Sequence, residues 1–327
     1  MKKRYWLVPV LGSITAATTS AAVNEPLYVK NLSPVTGLLG LPSQQSAFSE
    51  SARQFSAALH SSVSNVYVND GSGNEFLNLD GETLRFALDL RYGLVENWDL
   101  RLEVPWLEQS GGDLYSLIDN WHDFWGMPDG GRSDAPRNVL NYQYASANGG
   151  FLLDSSDSGL GDITLAVNYA FYRADDSAAS LVLGYKFGSG DDDQFLGSGA
   201  DDAYIALRFS GAHMSELPLY WHGQVGYLRA GDSDLLKGFQ EQNLWFAGLT
   251  MDWRINEHWS LLAQLDSNAA PTDSQLTAIG DVAGTFAAGL RWRFARHWSA
   301  DVSLVEDIIV ETGADVIFQA SVRYRGE

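Results

Sequence analysis

The stretch LRFALDLRYGLVENWDLRLEVPW, residues 84–106, decides the fold. Leu84, Phe86, Leu88, Leu90 and Tyr92 alternate with Arg85, Ala87, Asp89 and Arg91. After a break at 93–97, Trp98, Leu100, Leu102, Val104 and Trp106 alternate with Asp99, Arg101 and Glu103. A period of two places the apolar set on one face of a strand and the charged set on the other. In a membrane barrel one face meets lipid and the other an aqueous interior. A soluble sandwich also alternates, with the apolar face in its core and the polar face in water, so the connections decide between the two.

Twelve such segments of about 9 to 13 residues run through the chain, the length a tilted transmembrane strand needs. The first is weak (Phe55, Ala57, Leu59, Val63, Tyr67) and the last is Val316, Phe318, Ala320, Val322, Tyr324. Their connections alternate in length. Short turns lie near 94–97, 174–178, 213–218, 255–258 and 295–297. Long loops lie near 70–81, 109–160, 189–201, 231–242, 268–281 and 307–314. Short periplasmic turns opposite long outer loops are the outer-membrane pattern, and an even strand count puts both termini in the periplasm. Trp98, Trp253, Trp259, Trp292 and Trp298 flank short turns, as a periplasmic-side aromatic girdle requires. The fold predicted is therefore all-β: an antiparallel transmembrane up-and-down β-barrel of about twelve strands over 51–327.

The 327 residues carry 21 Lys+Arg against 41 Asp+Glu, a formal charge of −20. A chain this acidic has no general nucleic-acid footprint. Cysteine is absent, which excludes disulfides, thiol catalysis and Cys-ligated zinc. Lys2, Lys3 and Arg4 precede an apolar run to about Ala17 and a small-residue site at Ser20-Ala21-Ala22, so 1–22 reads as a secretory signal peptide. Cleavage there would leave 18 cations against 41 anions, or −23.

By the same alternation Arg85, Asp89, Arg91, Asp99, Arg101, Glu103, Arg291 and Arg293 face the lumen, with Lys186, Arg208, Asp252, Asp266, Asp301, Arg323 and Arg325 beyond them. Such charges must be hydrated or paired: either a narrow aqueous pore or a salt-bridged, filled lumen follows. The mixed signs point to no strong ion preference. Residues 23–50 show no alternation; Leu38, Leu39 and Leu41 need cover, so the segment is a plug, a lumen lining or a periplasmic tail docked on the rim. The 109–160 loop is too long for a bare connector. Within it Leu114, Leu117, Ile118, Trp121, Phe124 and Trp125 fall at helical spacing, which predicts one amphipathic helix in an extracellular loop with those residues as a contact face.

Catalytic constellations are weak. His60 and Ser62 share the inward face, whereas a lipid hydrolase needs access to lipid. Acidic runs at Asp191–Asp193, Asp201–Asp202 and Asp154/Asp157/Asp162 sit in or beside outer loops, as solvated carboxylates or a divalent-ion contact with lipopolysaccharide. No catalytic, cofactor-binding or metal residues are assigned, and the chain is expected to be no enzyme and to need no cofactor.

Residues 26–43 (PLYVKNLSPVTGLLGLPS), 119–132 (DNWHDFWGMPDGGR) and 158–165 (SGLGDITL) resemble an uncharacterised proteobacterial outer-membrane family, a domain of unknown function. Gly159–Asp162, Phe187–Gly190 and Leu196–Gly199 are more distantly similar to the outer-membrane family named after the meta-pathway of phenol degradation. That similarity implies passage of apolar or aromatic small molecules. Neither resemblance supplies a catalytic residue. Arg325-Gly326-Glu327 depart from the aromatic end that outer-membrane barrels usually carry. The expectation is a monomeric Gram-negative outer-membrane barrel acting as a passive channel for small solutes; a non-conducting structural or surface-interaction barrel is the alternative. Its partners would be outer-membrane lipid, lipopolysaccharide and the barrel-assembly machinery.

Overall fold

The computed structural model describes residues 24–112, 138–212 and 218–326. Fifteen strands follow in chain order: β1 (Phe55–Ser72), β2 (Glu75–Val95), β3 (Trp98–Ser110), β4 (Asn141–Ala145), β5 (Gly150–Leu153), β6 (Asp157–Leu160), β7 (Thr164–Arg173), β8 (Ser177–Lys186), β9 (Asp202–Gly211), β10 (Leu219–Arg229), β11 (Asn243–Arg254), β12 (Trp259–Asn268), β13 (Ala283–Ala295), β14 (Trp298–Asp307) and β15 (Val316–Arg325). Twelve of them, β1–β3 and β7–β15, pair antiparallel with their neighbours, β3 joins β7, and β15 returns to β1. The result is a closed barrel without free edges, which is how a sheet satisfies its backbone inside lipid. β4 and β5 form a hairpin on the upper part of β2, and β6 pairs with the upper part of β3. The predicted loop helix lies outside the described residues, as does the segment expected to be a signal peptide.

One end carries the short turns and the other the long loops. At the short-turn end the five girdle tryptophans point outward, 36–50% exposed, with Trp259 stacked on Trp292 at 5.8 Å and Trp98 on Tyr169 at 4.5 Å. Inward glycines are covered by cross-strand rings: a Cβ on Gly184 would lie 2.0 Å from Tyr204 Cζ, and one on Gly226 2.3 Å from Phe246 Cζ. Glycine there lets the ring lie flat on the sheet.

The expected long loop at 70–81 is a correction. β1 and β2 continue through it and meet at a tight turn, with Gly73 at φ +61°, a conformation open to glycine. The alternation persists but its sense inverts. Below, Leu59, Leu88 and Tyr92 face out and His60, Asp89 and Arg91 face in. Above, Val66, Val68, Leu77 and Leu79 are the inward residues and are fully buried. Apolar groups outside and polar groups inside give way to an apolar core inside, the ordinary arrangement of a sheet in water.

That upper core is completed by the chain before β1. Residues 24–50 enter the barrel at the short-turn end, rise to a 3-10 turn at Thr36–Leu38, and descend again to β1. Val35 and Leu38 pack with Val66, Leu77, Leu79 and Tyr142; Leu39 packs with Tyr204, Leu228 and Phe246; Leu27, Val29 and Leu32 pack with Leu262, Val305 and Ile317. The apolar tip thus sits in the apolar storey and the polar arms in the charged one.

Candidate functional site: the lumen and the segment that fills it

All eight predicted lumen charges project inward. The β2–β3 register sets Arg91 opposite Arg101 and Asp89 opposite Glu103, like charges that would repel across the ladder. The pairs form diagonally instead. Arg91 grips Asp99 with Nε to Oδ1 at 2.7 Å and Nη2 to Oδ2 at 2.8 Å. Arg101 grips Asp89 through Nε and Nη2 and reaches Glu103 Oε2 at 2.9 Å. Arg85 donates to Glu103 Oε1 at 2.7 Å and to the Tyr28 hydroxyl. Across the lumen, Arg291 Nε donates to Asp301 Oδ1 at 2.6 Å and its Nη1 to Asp252 Oδ2 at 3.2 Å, while Arg323 also reaches Asp301. Bidentate geometry fixes these side chains as well as neutralising them.

The inner segment is tied into this network by several of its polar residues. Glu25 meets Arg91 at 3.3 Å, Glu50 meets Arg325 at 3.0 Å, and Lys30 lies 3.6 Å from Glu103. Tyr28 stacks on His60 at 3.8 Å. Gln44 donates to Asp266 at 2.7 Å, and the Ser46 and Ser210 hydroxyls are 3.5 Å apart. Asn24 Oδ1 accepts from two guanidiniums at once, Arg254 and Arg293, each at 3.0 Å. Near the long-loop end Asp202 accepts the Gly40 N–H at 2.7 Å, and Lys186 bridges Asp162 and Asp202 while donating to the Leu38 carbonyl.

Between the segment's arms a cavity of about 170 Å³ remains near the short-turn end, lined by Asn24, Glu25, Arg91, Arg101, Arg293 and Arg323 among others. His60 lies on it, its Nδ1 within 2.7 Å of Ser321 Oγ; the ring faces the lumen, away from lipid. Of the acidic runs, Asp162 and Asp202 turn inward onto Lys186, whereas Asp201 stays in the loop. There the Gly188 N–H and the Tyr185 hydroxyl hold its carboxyl below the usual carboxylate range.

Asn24, Glu25, Gln45 and Glu50 gave no signal in the sequence, because a segment without regular structure has no periodicity to read. Arg254 was within reach, since it shares the parity of Asp252. The candidate contact face Leu114–Trp125 lies outside the described residues.

The chain shares its fold with an outer membrane channel from Pseudomonas putida F1, at TM-score 0.52 and 15% identity over 88% of this chain and 97% of that one. It is also aligned with the NanC porin (TM-score 0.46, 9% identity, 83% and 99% covered) and with a Pseudomonas aeruginosa FadL homologue (0.40, 12%, 83% and 90%). No curated protein matches. Residues 5–325 match a single sequence family described as Protein of unknown function, DUF3187, and the chain belongs to that family.

Proposed function

We propose that this protein is an exported outer-membrane channel for small solutes, with residues 24–50 as its plug. The observation that carries this reading is the way the lumen is closed. A small barrel can be filled by its own wall side chains, but twelve strands enclose more space. Here the space is taken by a separable segment, and the wall behind it is lined with groups that water or a polar solute would satisfy. The apolar outward belt and its tryptophan girdle support a membrane location. The similarity to the meta-pathway family implied apolar cargo; the guanidinium-lined wall favours polar cargo instead. Nothing in this reading requires catalysis by the lumen residues.

The test is conductance of the folded full chain in a planar bilayer, beside a chain lacking 24–50. Steps that are absent or rarer in the full chain than in the shortened one support a channel with a plug; equal steps from both support a channel and overturn the plug. Silence from both, with folding shown by heat-modifiable gel mobility, refutes it. The second reading, a non-conducting surface-interaction barrel, draws on Ile308, Ile309 and Val310, which are 58%, 39% and 73% exposed at the long-loop end; silence in both recordings would favour it.

A further inference from the structure

Among the described residues, nine arginines and five carboxylates of the lower wall make the contacts that bear on the segment. Six have appeared in ion pairs above (Arg85, Arg91, Arg101, Arg291, Arg323 and Arg325); Arg293 lies 3.7 Å from Asp252, and Arg208 and Arg254 are the others. The carboxylates are Asp89, Asp99, Glu103, Asp252 and Asp301. In this set the cations outnumber the anions by four, in a chain whose overall charge is −20, and Arg296 adds a further guanidinium to the cavity lining. The inner segment covers the surplus. It supplies Glu25 to Arg91, Glu50 to Arg325, the Gln45 amide oxygen to Arg208 at 2.8 Å, and the Asn24 amide oxygen to both Arg254 and Arg293.

The last of these contacts is chemically mismatched. Two guanidiniums converge on one neutral oxygen, where a carboxylate or phosphate oxygen would make charge-assisted bonds. Arg254 Nε and Asn24 Nδ2 are buried with no hydrogen-bond partner, and burying such donors costs free energy. Arg254 is held in place from behind by the Tyr220 ring, 4.8 Å from its guanidinium carbon. Arg293 is fixed by Ser260 Oγ at 3.0 Å. The pair is thus preorganised, and Arg293 and Asn24 line the cavity near the short-turn end.

The geometry points to Arg254 and Arg293 as a binding site for a small oxyanion, carboxylate or phosphate, which Asn24 occupies as a stand-in when the segment is seated. Anion binding and seating of residue 24 then compete. This assigns a solute class to the lumen proposed above as a passage and rests on that reading.

The experiment is calorimetric titration of the folded full chain in a phosphate-free maltoside detergent, with inorganic pyrophosphate as the probe. Saturable binding is expected. Arg254→Ala and Asn24→Asp should each weaken it roughly tenfold or more, the first by removing a donor and the second by supplying a tethered anion. Asn24→Ala should tighten it by removing the competitor. Arg229→Ala at the long-loop end should leave it unchanged. Heat-modifiable mobility verifies folding of each variant. Absence of saturable binding, unchanged affinity in Asn24→Asp, no tightening in Asn24→Ala, or equal weakening by Arg229→Ala would overturn the site. Displacement of pyrophosphate by phosphatidylglycerol micelles would assign it to a lipid headgroup and overturn the solute assignment. Binding is read without current, so a barrel that binds but does not conduct refutes only the channel, and one that conducts without binding refutes only this site.

Discussion

Replacing Leu27 by Ala removes an apolar anchor of the plug's rising arm while leaving the wall and its arginines intact. Leu27 is fully buried among Leu262, Ala287, Val305 and Ile317. It rests on Gly289, where a Cβ would come within 2.8 Å of its Cδ2. Core Leu→Ala changes cost about 2–5 kcal/mol, the lower values applying where the site can collapse or hydrate. Taking about 2–3 kcal/mol, the ratio of displaced to seated segment should rise roughly 30- to 150-fold. Gly289→Ala presses the same contact from the wall side and should act in the same direction. The assay is single-channel recording of the full chain in a planar bilayer, scored as the fraction of time spent open. A rise in both variants supports a plug seated by this contact. Unchanged currents from correctly folded Leu27→Ala and Gly289→Ala would refute the reasoning.

Three further outcomes follow from the geometry. Asp99→Asn should weaken the grip on Arg91 and, with it, the anchors Asp99 provides for the Glu50 N–H and Asn168 Nδ2; a loss of order 3 kcal/mol should appear as a lower unfolding temperature in heat-modification gels. Gly184→Ala would drive a methyl into the Tyr204 ring, costing about 1–3 kcal/mol as an overpacked site and slowing folding into vesicles. Trp292→Ala removes a stacked girdle pair, worth about 0.5–1.5 kcal/mol beyond its area, and should lower the urea midpoint for refolding into lipid.

The barrel was legible because lipid writes a strong pattern: Leu88 out and Asp89 in, Trp298 out and Asp301 in. Strand count and the alternation of short and long connections follow from that pattern. The pattern changes where the physics changes. In the upper parts of β1 and β2, Val66, Val68, Leu77 and Leu79 turn the apolar face inward, so outward apolar residues mark these strands only in their lower parts and 70–81 carries no such mark. The β4–β6 excursion is short and lies against other loops, without the lipid-facing repeat. Within the lumen the wall charges were readable by parity. Their partners were not, because Asn24, Glu25, Gln45 and Glu50 belong to a segment whose conformation is set by the wall it fills.

The central claim is that residues 24–50 close an otherwise open lumen, and a tether tests it most directly. The native chain has no cysteine, and Ser46 Oγ lies 3.5 Å from Ser210 Oγ on β9, so cysteines at these two positions would face each other across the contact. Single-channel recording of the Ser46→Cys/Ser210→Cys double variant under oxidising and then reducing conditions is the decisive measurement. The account requires silence while the disulfide locks the segment to the wall, and current on reduction. Equal conductance in both states, with the disulfide verified, would show that the segment does not control the lumen.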